Sequence, residues 1–188
     1  MTALGSTLAR RLPYRVRQFA LAFVPVAAAE VTAAIQAAGL PPAAARLLRA
    51  MPRPYQRHAL NVAARLERAG HHDPALLAAA LLHDSGKWDA VSGRRVGLLQ
   101  RVGATLLERS GPGRWVLTAL AAGPPSRRSP RYGWYLQRDH PALGADRAAA
   151  AGLPPAVVAL IRSHADPAAC PTALQPTLRL LQWADDQE

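Results

Sequence analysis

Half of the 188 residues are apolar and the formal charge is +11, which bounds the chain to one domain long enough to bury a full core. The single cysteine rules out an intrachain disulfide and points to a reducing, cytoplasmic setting, and an Ala/Leu-rich, aromatic-poor composition favours packed helices over sheets. The charge is weak support for a nucleic-acid or membrane partner, because 22 arginines are scattered along the chain against one lysine, Lys87.

Residues 10–30, RRLPYRVRQFALAFVPVAAAE, imitate a secretory leader in their basic start and apolar run. Pro25 interrupts that run, Glu30 closes it, and it is too short to span a bilayer. The expectation is therefore a helical segment over residues 1–50, packed on or bracing a main domain at 51–188. Pro41-Pro42 opens AAARLLRAM, which Pro52 and Pro54 close. The next helix is expected from about Tyr55 to Ala69, with Gly70 as its stop. Asp73-Pro74 supplies an N-cap and a first-turn proline, and the all-apolar run Ala75 to Leu82 predicts a helix buried on every side. A variable insert follows at about 88–134. In it, residues 94–110 carry a stripe of Val96, Leu99, Val102 and Leu106, and the Pro/Ser/Arg loop at 123–131 is expected to be the most flexible element. Pro141 is expected to open a helix that Gly152 stops, Pro154-Pro155 to open AVVALIRSHAD, and Pro176 to open TLRLLQWADD. The predicted fold is all-α, with no Gly-rich phosphate loop and no internal repeat.

Polar residues stand out against this apolar background. His58 shares a helical stripe with Val62 and Leu66, His164 with Val157, Leu160 and Ile161, and Asp185 with Leu178 and Leu181. His83-Asp84 ends the most apolar run of the chain. A polar group on an apolar face needs a partner. Any one histidine taken alone reads more readily as a core residue bonded to a carbonyl. As a set, imidazoles and carboxylates projected inward from separate helices suit a transition metal. His71 and His72, in the turn AGHHDP, read as ordinary loop residues, and Cys170 as inert.

The pattern H…HD…D at His58, His83-Asp84 and Asp185 resembles the HD superfamily of metal-dependent phosphohydrolases. The resemblance covers about Tyr55 to Asp186 and weakens between Trp88 and Trp134. It implies an HD-domain helical bundle in which His58, His83, Asp84 and Asp185 bind one ion. The stretch DHPALGADRAAAAGLPPAVVALIRSHAD is similar to the HPxxGA…G-x-P…I-x-x-H pattern of HD proteins with two metals, which implies a second ion on His140 and His164, with Asp84 bridging. Lys87 stands in an HDxGK context. In a chain that otherwise uses arginine, a compact ammonium three residues after the HD pair suits a phosphate oxygen, although a cation complementing a helix C-terminus is the plainer alternative.

What the resemblance implies is a metal-dependent phosphohydrolase with Asp84 and Lys87 as catalytic residues. Its substrate would be a phosphorylated small molecule of the nucleotide class, attacked by metal-bound hydroxide. The cofactor would be one or two divalent transition-metal ions: manganese, iron, cobalt or zinc. Arginines of the 88–131 segment are expected to clamp distal phosphates. Within the superfamily, the two-histidine extension leans toward symmetrical diadenosine tetraphosphate hydrolases and cyclic-dinucleotide phosphodiesterases. The HHExxDGxGYP signature of HD-GYP proteins is absent, since Ala165 follows His164. The alternative is a non-catalytic HD-fold sensor that binds a nucleotide or nucleic acid. Neither a membrane partner nor an oligomeric state follows from the sequence.

Overall fold

The computed structural model describes residues 25–97, 100, 103–104, 106–107, 111–120 and 122–187. The basic-apolar run before Pro25, and Leu99 and Val102 of the predicted stripe, lie outside them. The described residues form eight α-helices and no sheet: α1 (Ala28–Ala37), α2 (Pro42–Ala50), α3 (Arg53–Arg68), α4 (Pro74–Leu82), α5 (Gly111–Leu120), α6 (Tyr132–Ala150), α7 (Pro155–Ser163) and α8 (Gln175–Asp186). A 3₁₀ turn, Ser85–Lys87, follows α4, two more (Pro167–Ala169 and Thr172–Leu174) lie between α7 and α8, and one isolated antiparallel bridge joins Trp88 to Arg95. Among the described residues, no helix is long and apolar enough to cross a membrane.

Local chemistry places most helix ends. The Asp73 side chain accepts from the Leu76 amide at 2.9 Å and Pro74 opens α4, so one orphan donor is satisfied and a missing one costs nothing. At the end of α3, Gly70 adopts φ +85°, and two bonds close the turn: His71 N–H to Leu66 O and Gly70 N–H to Glu67 O, both 2.9 Å. This left-handed cap favours glycine because a Cβ would crowd the backbone. Gly152 ends α6 in the same way.

α4 is the axis of the molecule. Every residue from Leu76 to Gly86 is buried, and α4 packs against α1, α3, α7 and α8. Burying each of Leu76, Leu77, Leu81 and Leu82 contributes roughly 2 kcal/mol. The same core includes Val31, Leu40, Ala44 and Leu48 of the first fifty residues. Helix α1 is further tied to α3 by Arg57, whose guanidinium makes paired contacts to Glu30 at 2.5 and 2.9 Å and donates to Pro25 O at 2.7 Å.

Two expectations change. Pro141 does not open a helix; it lies inside α6, which begins nine residues earlier at Tyr132. The loop at 123–131 is anchored rather than free: Arg94 donates to Ser129 O and Arg128 O at 2.9 and 3.0 Å, Arg127 pairs with Asp89 at 2.9 Å, and Arg131 donates to the Ala119 and Leu120 carbonyls at the end of α5. Those three arginines are thus engaged within the protein, and the expected phosphate clamp does not rest on them.

Candidate metal centre

Helix geometry first sets where each polar side chain starts. Ala59, Val62, Ala63 and Leu66 bury one face of α3, and His58 sits beside that face with its side chain a quarter exposed. The last turn of α4 delivers His83, fully buried, and Asp84 follows at φ −93°, ψ 5°, a sparsely populated region that turns the chain out of the helix. α8 buries Leu178, Leu181 and Ala184 and brings Asp185 to the edge of the same space. His140 comes from α6 and His164 from the end of α7, both buried.

These six side chains converge. His58, His83 and Asp185 form one trio, and Asp84, His140 and His164 form another; in each, one ligand atom per residue lies within 4.8 Å of the others. His58 Nε2 is 3.0 Å from Asp185 Oδ1 and 3.3 Å from His83 Nε2. His140 Nε2 is 3.1 Å from His164 Nε2, and each is 3.8 Å from Asp84 Oδ1. Asp84 also links the trios, since Oδ2 is 3.7 Å from His58 Nε2 and Oδ1 is 3.5 Å from His83 Nε2. Lys87 Nζ lies 2.8 Å from both Asp84 oxygens. His71 and His72 stay outside the cluster, and Cys170 is a buried free thiol.

Three of the four histidines are oriented by one device. His83 Nδ1 lies 2.9 Å from Ala80 O, His140 Nδ1 2.7 Å from Gln137 O, and His164 Nδ1 2.7 Å from Ile161 O. A carbonyl oxygen only accepts, so each Nδ1 carries the proton and donates. His83 and His164 stand at helix C-termini, where the last carbonyls lack helical donors. His140 uses Gln137 O, whose helical donor would be the amide of residue 141, and that residue is proline. Each ring therefore presents Nε2 to the centre, the arrangement in which outer hydrogen bonds fix a metal-ligating imidazole.

Charge within the cluster follows from burial and neighbours. Burial holds the His140 imidazole well below its ordinary pKa and lowers His164 to about 4, so both are neutral near pH 7. Burial also opposes a charge on His83, but Asp84 and Asp185 outweigh it and raise that pKa to about 9. Burial works to raise both carboxyls; the cations outweigh it. Lys87, His83 and His58 hold Asp84 well below the carboxylate range, and His83 and His58 do the same for Asp185.

The second trio tests whether a cation fits. With both Nδ1 atoms donating to carbonyls and both rings neutral, the two Nε2 lone pairs face each other at 3.1 Å. Asp84 Oδ1, 3.8 Å from each, is buried, and the Lys87 ammonium at 2.8 Å meets part of its charge. Two facing lone pairs beside a buried carboxylate are costly unless a cation joins them. A divalent metal with nitrogen and oxygen preference satisfies all three. In the first trio, the proton on His83 occupies the role that such an ion would take.

Close approach of two backbones makes this convergence possible. The Ser85–Lys87 turn packs mainly on α6, where a Cβ on Gly86 would overlap the His140 carbonyl and lie 2.7 Å from its Cα. Opposite it, a Cβ on Gly144 would lie 3.1 Å from Ser85 Oγ and 3.3 Å from Gly86 N. Arg147 of α6 clasps the same turn through Ser85 O, with its guanidinium 5.8 Å from the centroid of the Trp88 ring. Gln182 Nε2 donates to His164 O at 2.8 Å, tying α8 to the end of α7. Sequence reasoning missed Arg57, Arg147 and Gln182. Nothing in a chain of 22 arginines singles out Arg57 or Arg147, whereas Gly86 and Gly144 were visible as small residues next to motif positions. No family model, curated protein or solved structure matches this chain.

Proposed function

We propose that the protein is a metal-dependent phosphohydrolase acting on a phosphate ester or anhydride, with a nucleotide as the favoured substrate class. The observation that carries the reading is the convergence of bare Nε2 atoms from His140 and His164 on the buried Asp84 carboxylate. His58, His83 and Asp185 would hold one ion, His140 and His164 a second, and Asp84 would serve both. When bound, divalent transition ions at such a site supply Lewis acidity, which lowers the pKa of water and offsets charge on phosphoryl oxygens.

The chain's own residues define the rest. Asp84 and Asp185 contribute negative charge that balances the ions, and the Nδ1 bonds to carbonyls keep the imidazoles aimed inward. Lys87 keeps part of its side chain exposed at the edge of the cluster. Its ammonium lies 2.8 Å from Asp84 and suits an incoming phosphoryl oxygen as a point charge. The buried walls from α4 and α7 exclude bulk water from one side of the site and strengthen these interactions.

The test is elemental analysis of the purified protein, followed by turnover on a panel of nucleotides and simple phosphate esters with added Mn²⁺. Bound metal with turnover supports the proposal. Bound metal without turnover on any phosphate ester favours a non-catalytic sensor. Failure to bind Mn²⁺, Fe²⁺, Co²⁺ or Zn²⁺ would remove its basis.

A further inference from the structure

We infer that Pro141 is a positioning residue: by withholding a backbone donor from Gln137 O, it reserves that carbonyl for His140 Nδ1 and so aims His140 Nε2 at the centre. The inference rests on the metal-site reading proposed above and extends it to a residue that belongs to no ligand set. A proline inside a helix forfeits the bond from its own amide to the carbonyl four residues back and crowds that turn, so it is ordinarily a cost. In α6 that carbonyl belongs to Gln137. The residue before the proline is the one that uses it: His140 Nδ1 sits 2.7 Å from Gln137 O.

The other two rings reach an equivalent acceptor at a helix end. His83 and His164 also bond the carbonyl three residues back, at 2.9 and 2.7 Å, and both stand where a helix ends. There the carbonyl is orphaned by the end of the helix. His140 is in mid-helix, eight residues after the start of α6 and ten before its end, where the carbonyls of an unbroken helix are already engaged. Pro141 creates at that point the vacancy that a helix C-terminus creates for the other two. With an amide at position 141, the ring would have to share Gln137 O, and neither the tautomer nor the tilt of the imidazole would be held.

The mechanism makes stability and metal affinity move in opposite directions. Pro141→Ala restores a helical bond and removes a steric conflict, so Tm should rise, by about 5 °C. The affinity for the second Zn²⁺ should fall about 10- to 100-fold, the usual effect of losing an outer partner of a metal ligand, while the first Zn²⁺ binds as before. A variant carrying the α-hydroxy analogue of alanine at position 141 lacks both the ring and the N–H, and should retain parent-like Zn²⁺ affinity. Long-range ¹H–¹⁵N spectra of the histidine rings, on full chain purified from zinc-supplemented medium, should show His140 protonated at Nδ1 in the parent and in the α-hydroxy variant. In Pro141→Ala that state should be weakened, with His164 unchanged.

An Nε2-protonated His140 in the parent overturns the inference whether or not the protein folds as Pro141→Ala. So does unaltered second-site affinity in Pro141→Ala, or equal loss in the α-hydroxy variant, which would assign the effect to ring shape. If the parent binds no Zn²⁺ yet shows His140 protonated at Nδ1, the metal reading fails and the role of Pro141 in fixing the ring stands.

Discussion

Gly86→Ala should separate the two halves of the centre. The new Cβ would lie 2.7 Å from His140 Cα and 2.8 Å from His140 C, and closer still to its carbonyl oxygen. Carbon atoms rest at about 3.7 Å, so the Ser85–Lys87 turn and α6 must part by about 1 Å. Both sides of the contact are backbone, and neither can swing aside as a side chain could. Overpacking of this kind costs about 1–3 kcal/mol. The larger effect is on the site, because metal–ligand distances are held to about 0.2 Å, and a 1 Å retreat moves His140 well beyond that. His58, His83 and Asp185 do not touch this contact, so the first ion should remain. Calorimetric titration with Mn²⁺ should show one tight event retained and the second weakened at least tenfold, beside a lower Tm. Ser85→Ala is the matched control: its hydroxyl is buried without a hydrogen-bond partner, so stability and both binding events should stay near the parent's. Two unchanged Mn²⁺ events and an unchanged Tm in Gly86→Ala would refute the close-approach argument.

Other outcomes follow from the same geometry. After chelation, stability should peak near pH 6.5: the proton on His83 is held up to about pH 9, so the stability it supplies is full below 6.5 and lost, on the order of 3 kcal/mol, as pH rises through 9. On the acid side, His164, lowered to about 4, makes stability fall as pH drops from 6.5 to 4. Saturating Zn²⁺ should flatten the alkaline limb of a Tm–pH profile, and a flat limb in chelator contradicts the charge balance derived for His83. Lys87→Arg should keep the ion pair with Asp84 and the metal content but lower turnover tenfold or more, because a planar fork cannot take the place of a point charge; parent-like kcat would return Lys87 to a purely structural cation. His164→Ala should retain roughly one ion per chain and Asp84→Ala none, as expected of a shared carboxylate; elemental analysis showing the same stoichiometry in both variants contradicts the bridging role.

Local features of the chain were enough to place several helix ends and to single out most residues of the centre. The cap at Asp73, the stop at Gly70 and the apolar run of α4 act within a turn or two of themselves, so their physics is contained in neighbouring residues. The placing of His58, His164 and Asp185 beside buried stripes likewise follows from a 3.6-residue period. The misreading of Pro141 shows where local rules stop. A proline after a polar residue signals a helix start on propensity alone, and only the bond from His140 to Gln137 O reveals why α6 runs through it.

The distances that group six candidate ligands into two trios were a matter for the tertiary structure. His58 and Asp185 are 127 positions apart in sequence, and their 3.0 Å contact exists because α3 and α8 pack around α4. The pairing of Arg57 with Glu30, the engagement of Arg94, Arg127 and Arg131 by the protein itself, and the backbone contact at Gly86 depend in the same way on which helices meet. Periodicity tells which face of a helix is apolar. It carries no information about the distance between two such faces, which is decided by side-chain volumes summed over the whole core.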